Sequence, residues 1–187
     1  MHRRKAISLL SLLAGGTAFG FSGMLTGCNK PERSTGILKK EDIKLLDQVG
    51  DALLPATPGV PGAAAARVGD YIQSIVTDCF HKKDQDFFLA GMTRLRETIH
   101  QKAGKSFEQL PDAEKQQMIL FLDEQATTYK PAKPEDPQRH YYATIKGLII
   151  TGYFTSEAGA TKALRYVPVP GKFSGDIPFK PGDKAFV

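Results

Sequence analysis

The chain has 187 residues, 25 of them Lys or Arg against 20 Asp or Glu, with two cysteines and no tryptophan. This is enough for one ordinary domain. The charges alternate in sign and no basic block interleaves with aromatics, which argues against a nucleic-acid surface. Two cysteines are too few for a disulfide framework.

The chain opens on a leader. Arg3, Arg4 and Lys5 form a basic start, Ala6 to Met24 is apolar or small, and no acidic residue precedes Glu32. A positive n-region followed by an apolar h-region is the layout of an export signal. Gly15, Gly16, Gly20 and Gly23 dilute the apolar run, so a cleaved signal is favoured over a permanent span of ~20 strongly apolar residues. The adjacent Arg3 and Arg4 resemble an address for the Tat exporter, which carries folded proteins; His2 and Ala6 depart from the usual residues of that pattern, and Sec signals also carry basic residues.

The leader ends in Leu-Thr-Gly-Cys, residues 25–28. This resembles a lipobox, in which the Cys28 thiol accepts diacylglycerol and becomes the first mature residue. Two or more acyl chains give stable anchoring, at about 0.8 kcal/mol per buried CH₂. The chain beyond residue 27 is then close to neutral, because the leader takes three basic residues with it. It also leaves Cys79 alone, with no intramolecular disulfide open to it. Spaced like a core position in Tyr71–Phe80, Cys79 reads as an inert buried thiol.

Residues 28–38 are polar and broken by Pro31 and Gly36, a tether. From Lys40, Ile43, Leu46, Val49 and Leu53 recur at spacings of three and four, one face of a helix that Pro55 ends. GAAAARVGDYIQSIVTDCF predicts a second helix with Val68, Ile72, Ile75 and Cys79 on one side. Asp84 is placed to cap a third, carrying Phe87, Phe88, Met92, Leu95 and Ile99 and ending near Gly104. Ser106 with Gln109 suggests a capping box, in competition with a start at Pro111 and Asp112. The fourth helix runs to about Gln125 with Met118, Phe121 and Leu122 inward. After the Pro-rich loop YKPAKPEDP, a fifth starts near Pro137 and carries Tyr141, Ile145, Leu148 and Ile149 toward Phe154. Ser156 is placed to cap a short helix with Glu157 in its first turn. The expected fold is all-α, a small irregular bundle of about five helices within a domain spanning 39–187.

The end of the chain differs. Residues 166–187 contain four prolines and three glycines together with Tyr166, Val167, Val169, Phe173, Ile177, Phe179 and Phe186. Disordered tails are poor in aromatics. This extension gains from burial only where it folds back on the bundle or lies on another protein.

Motifs for chemistry are missing from the sequence. PGVPGAAAA lacks the spacing of a phosphate loop. There is no CxxC, CxxCH or HExxH, so neither haem attachment nor a zinc site is supported. His81, His100 and His140 stand apart and share no motif. Asp51, Asp70 and Glu157 read as capping or pairing carboxylates rather than acid–base groups.

Two stretches carry a resemblance. DALLPATPGVPGA, Asp51 to Ala63, is a helix end, a Thr-Pro-Gly turn and a new helix. GYFTSEAGATKALRYVPVPGKFSGDIP, Gly152 to Pro178, has Gly-Tyr, Ser-Glu, Gly, an aromatic and Pro-Gly in succession. Together they resemble the gluconate 2-dehydrogenase subunit 3 family, the small subunit of membrane-associated FAD-linked sugar and sugar-acid dehydrogenases. The resemblance implies a non-catalytic accessory role, with no catalytic residue, cofactor or metal in this chain. It also implies a large partner subunit of the glucose–methanol–choline type that binds FAD, with a cytochrome c carrying haem c as a further partner. The small subunit would support the folding and Tat export of the flavin subunit. Contact would fall on residues 152–179: Tyr153, Phe154, Tyr166, Phe173 and Phe179 as anchors, with Ser156, Glu157, Pro170 and Gly171 among them. The lipobox adds a membrane anchor on the periplasmic side that many relatives lack. A free-standing lipoprotein that stacks a sugar or other small ligand on its aromatics is the alternative; an independent enzyme ranks last.

Overall fold

The structure, a computed structural model, describes residues 36–130, 139–169, 171–172 and 175–186. The expected signal with Arg3 and Arg4, the lipidation residue Cys28, most of the tether, the loop at 131–138, and Pro170 and Phe173 lie outside the described residues.

Five α-helices make the body: α1 Lys40–Leu53, α2 Val68–Asp78, α3 Lys82–Ala103, α4 Asp112–Thr128 and α5 Tyr141–Thr155. Among the described residues there is no strand, only two isolated bridges. The all-α bundle is as expected. Its centre is α5, which packs against each of the other four helices. The sequence of α5, YYATIKGLIITGYFT, is apolar on nearly every side, as a helix surrounded by others must be. Tyr142, Ile145 and Ile149 are fully buried in it. Its one charge, Lys146, reaches Asp123 of α4 at 2.6 Å. No helix among the described residues is long and apolar enough to cross a membrane.

Several helix ends have a local cause. Asp42 of α1 is 4% exposed; its carboxylate accepts the Lys39 N–H at 3.2 Å and pairs with Arg96 of α3. Pro55 stops α1, after Leu54 N–H donates to Gly50 O at 2.8 Å. Gly104 ends α3 in the left-handed conformation, φ 68°, where a Cβ is disfavoured. Both candidate starts near residue 110 are used: Ser106 N–H bonds Gln109 Oε1 at 3.2 Å and caps a 3-10 turn, Phe107–Gln109, while Pro111 precedes α4.

Several expectations need correction. The second helix does not run from Gly62. A 3-10 turn, Ala63–Ala66, is separated from α2 by Arg67 at φ 53°. The third helix begins at Lys82 with His81 at the N-cap, and Asp84 sits in the first turn. On α4 the third inward residue is Ile119; Phe121 is half-buried under the Lys102 ammonium, 4.6 Å from the ring centroid. The fifth helix starts at Tyr141, four residues after Pro137.

Cys79 is exposed, contrary to the buried thiol expected. The buried stripe of α2 runs Val68, Ile72, Val76, and the helix ends at Asp78. Cys79 is the capping residue beyond it, and Phe80 turns inward instead, edge-on to Phe88 with ring centroids 6.5 Å apart.

Candidate functional site

The first patterned stretch, 51–63, leaves the body as a tight turn. Thr57 and Val60 exchange backbone hydrogen bonds of 2.9 Å each way. Pro58 and Gly59 occupy the tip, with Gly59 at φ 80°. Pro at the first central position and a positive-φ Gly at the second are what a type II turn requires. Residues 55–59 are exposed. The base is tied down: Ala63 N–H donates to Leu54 O at 3.0 Å, and Ala64 N–H to Asp51 Oδ1 at 3.4 Å.

The second stretch begins inside α5 and leaves it abruptly. Ser156 turns the chain. Its hydroxyl donates to Tyr153 O at 2.6 Å and accepts the Gly159 N–H at 3.1 Å. The expected capping by Ser156 is therefore present, with Glu157 exposed in the turn that follows. That turn widens into one π turn, Gly159–Ala163, which Leu164 N–H closes onto Gly159 O at 2.9 Å. Such wide single turns are uncommon and recur at functional sites.

Tyr153 joins the two stretches. Its hydroxyl donates to Pro61 O at 2.7 Å, across 92 positions of sequence. Burial holds its phenol above the ordinary tyrosine value. Tyr153 is 4% exposed, so it is a core residue that positions the turn rather than a surface anchor. Phe154 beside it is half-buried, ring centroids 5.1 Å apart.

Beyond Leu164 most of the apolar side chains among the described residues face outward, Val167 being half-buried. Tyr166, Val169, Ile177, Phe179 and Phe186 are all exposed, Val169 at 80% and Phe179 at 75%. Gly171 is exposed as well. Of the expected contact residues, the structure thus places Tyr166, Gly171, Phe179 and Glu157 on the surface. Ser156 and Phe154 are half-buried and Tyr153 is in the core. Contiguous apolar patches on a surface mark interaction sites, and these exposed side chains are the material for one.

The carboxylates singled out in the sequence have structural work. Asp51 receives Ala64 N–H, and Asp70 pairs with Arg67 in the first turn of α2. Sequence reading passed over Asp47. It crosses from α1 to accept the Gly69 N–H at 2.8 Å, capping a helix whose own N-cap residue, Arg67, supplies no side-chain cap. Burial raises its carboxyl above the ordinary value, against the lowering effect of that hydrogen bond. No sequence signal marks such a cap, because donor and acceptor are on different helices.

A second feature had no sequence signal either. A groove of about 800 Å³ lies between α1, α3 and the 3-10 turn, with Leu45, Ile99 and Phe107 toward the body and Lys40, Lys44, Arg96 and His100 at its rim. Lys44 pairs with Glu108 across it. Among the described residues no group of three or more His, Cys, Asp or Glu side chains is placed to hold a metal ion. What the surface offers is shape and apolar contact: an exposed turn and an exposed apolar extension, braced at Tyr153.

In comparison with known families, the model described as gluconate 2-dehydrogenase subunit 3 matches residues 40–171, most of the chain. No curated protein and no solved structure matches.

Proposed function

This chain belongs to the gluconate 2-dehydrogenase subunit 3 family, and from that premise we propose that it is the accessory small subunit of a sugar or sugar-acid dehydrogenase, in which another subunit carries the reaction. That subunit is a glucose–methanol–choline-type flavoprotein that holds FAD and takes hydride from a sugar carbon. A cytochrome c with haem c then receives the electrons. The small subunit supports folding of the flavoprotein and its export behind Arg3 and Arg4. Cys28, once lipidated, tethers the complex to the periplasmic face of a membrane.

The observation that carries this reading is the run of outward-facing apolar side chains after Leu164. An ordered surface of that kind is stabilised by a second protein. The contact would take in Tyr166, Gly171 and Phe179, with Pro170 and Phe173 between them, and Phe154 and Glu157 at the end of α5. Tyr153 and Ser156 act from beneath, holding the turn at Pro61 and the chain reversal after Thr155.

Co-expression tests it. With this chain present the flavoprotein should reach the periplasm folded and active; without it, the flavoprotein should stay cytoplasmic and inactive. Equal export and activity in both cases would sink the proposal. Cys28→Ala separates the tether: the active complex should move from the membrane pellet to the soluble fraction. The groove at Leu45, Ile99 and Phe107 favours a second reading, a lipoprotein that binds a small ligand unaided. Sugar-dependent melting of the isolated chain would support it.

A further inference from the structure

Residues 175–186 run past the end of the family match at 171. They nonetheless fold back on the π turn and the start of the extension. Arg165 N–H donates to Ala185 O at 2.8 Å. The Arg165 guanidinium lies 4.5 Å from the Phe186 ring centroid, a cation–π distance. Lys184 Nζ donates to Lys162 O. Between these ties sits a closed turn: Lys180 N–H bonds Asp183 Oδ2 at 2.8 Å, Asp183 N–H bonds Lys180 O at 2.9 Å, and Gly182 takes φ 95°. The last segment is thus latched to the residue at which the extension begins.

The latch leaves Ile177 and Phe179 outside, 51% and 75% exposed. Pro178 and Pro181 bias the residues before them, Ile177 and Lys180, toward extended backbone. Ile177 is therefore held on a backbone with less freedom to lose, and Phe179 stands between Pro178 and the restricted Lys180, which lowers the entropy cost of binding.

We propose that the Arg165–Phe186 latch presents Ile177 and Phe179 as a preformed anchor pair for an apolar crevice with an acidic rim on the flavoprotein subunit. The inference rests on the functional reading above and adds a place and a chemistry to it. The rim's sign follows from charge. Cations outnumber carboxylates along 162–186, and Asp183 is turned onto the Lys180 amide. A bilayer accepts apolar side chains at any spacing. A turn closed around Pro181 by two hydrogen bonds matters to a partner with a shape.

The test uses the full chain and the glucose–methanol–choline-type flavoprotein co-expressed with it, with bound flavin absorbance as the readout of capture. Phe179→Asp should weaken capture by about tenfold or more and leave the melting temperature of the isolated chain unchanged. Phe186→Ala should weaken capture while Phe179 remains in place, because the latch is lost. Leu120→Asp, exposed on α4, should capture like the unaltered chain. If the unaltered chain captures flavoprotein and Phe179→Asp does so equally, the inference falls and the functional reading stands. If the unaltered chain captures none, both fall. Phosphatidylglycerol vesicles give the other arm. Sedimentation of Cys28→Ala protein that Phe179→Asp abolishes, with capture unaffected, assigns the anchors to the membrane and overturns the proposal.

Discussion

The Tyr153 hydroxyl donates to the Pro61 carbonyl at 2.7 Å, joining the exposed Pro-Gly turn to the end of the central helix. The bond adds a polar tie to the packing of these two segments in one core. Tyr153→Phe keeps the ring and removes the donor, so it should cost about 1 kcal/mol. For a domain of this size that lowers Tm by about 3 °C. Hydrogen exchange should speed up locally at Thr57 and Val60, whose mutual bonds close the turn. An unchanged exchange rate there would show that the turn holds without Tyr153.

Two glycines should respond oppositely to one substitution. A Cβ on Gly159 would stand 2.0 Å from Tyr153 O and 2.7 Å from its carbonyl carbon, both backbone atoms. Gly159→Ala must open the chain reversal and should destabilise by about 2 kcal/mol. A Cβ on Gly147, within α5, meets nothing within 4 Å. Gly147→Ala should stabilise by roughly 0.5–1 kcal/mol through helix propensity. Urea denaturation of both variants measures the difference in sign.

Asp47 predicts a pH dependence. Burial raises its carboxyl, so the folded state holds that proton more tightly than the unfolded chain does. Its contribution to stability is then fully present below the ordinary carboxylate range and is lost as pH rises through the raised value. Asp47→Asn cannot ionise and keeps an acceptor for Gly69. Its stability relative to the unaltered chain should therefore improve from acid to neutral pH. Asp47→Ala leaves Gly69 N–H without its cap and should cost about 1 kcal/mol. If Asp47→Asn instead worsens toward neutral pH, the field of the α2 N-terminus outweighs burial.

Cys79 should react in the native state. Its exposure beyond the last turn of α2 predicts stoichiometric labelling by a maleimide in buffer, at a rate close to that in denaturant. Strong protection would restore the buried position that its spacing suggests.

The sequence by itself determined the helical class, the stops at Pro55 and Gly104, the capping by Ser156 and the Pro- and aromatic-rich character of the last residues. These are local matters: a proline removes a donor wherever it stands, and four-residue spacing makes a stripe on any helix. Family likeness, too, was legible in the stretches 51–63 and 152–178. Tertiary structure alone decided which of the patterned residues are available. It drew Tyr153 into the core, turned Cys79 out, and set Asp47 of one helix against the first turn of another. It also brought Phe186 back to Arg165. Each is a pairing between segments distant in sequence, and periodicity along one segment carries no record of what will lie across from it.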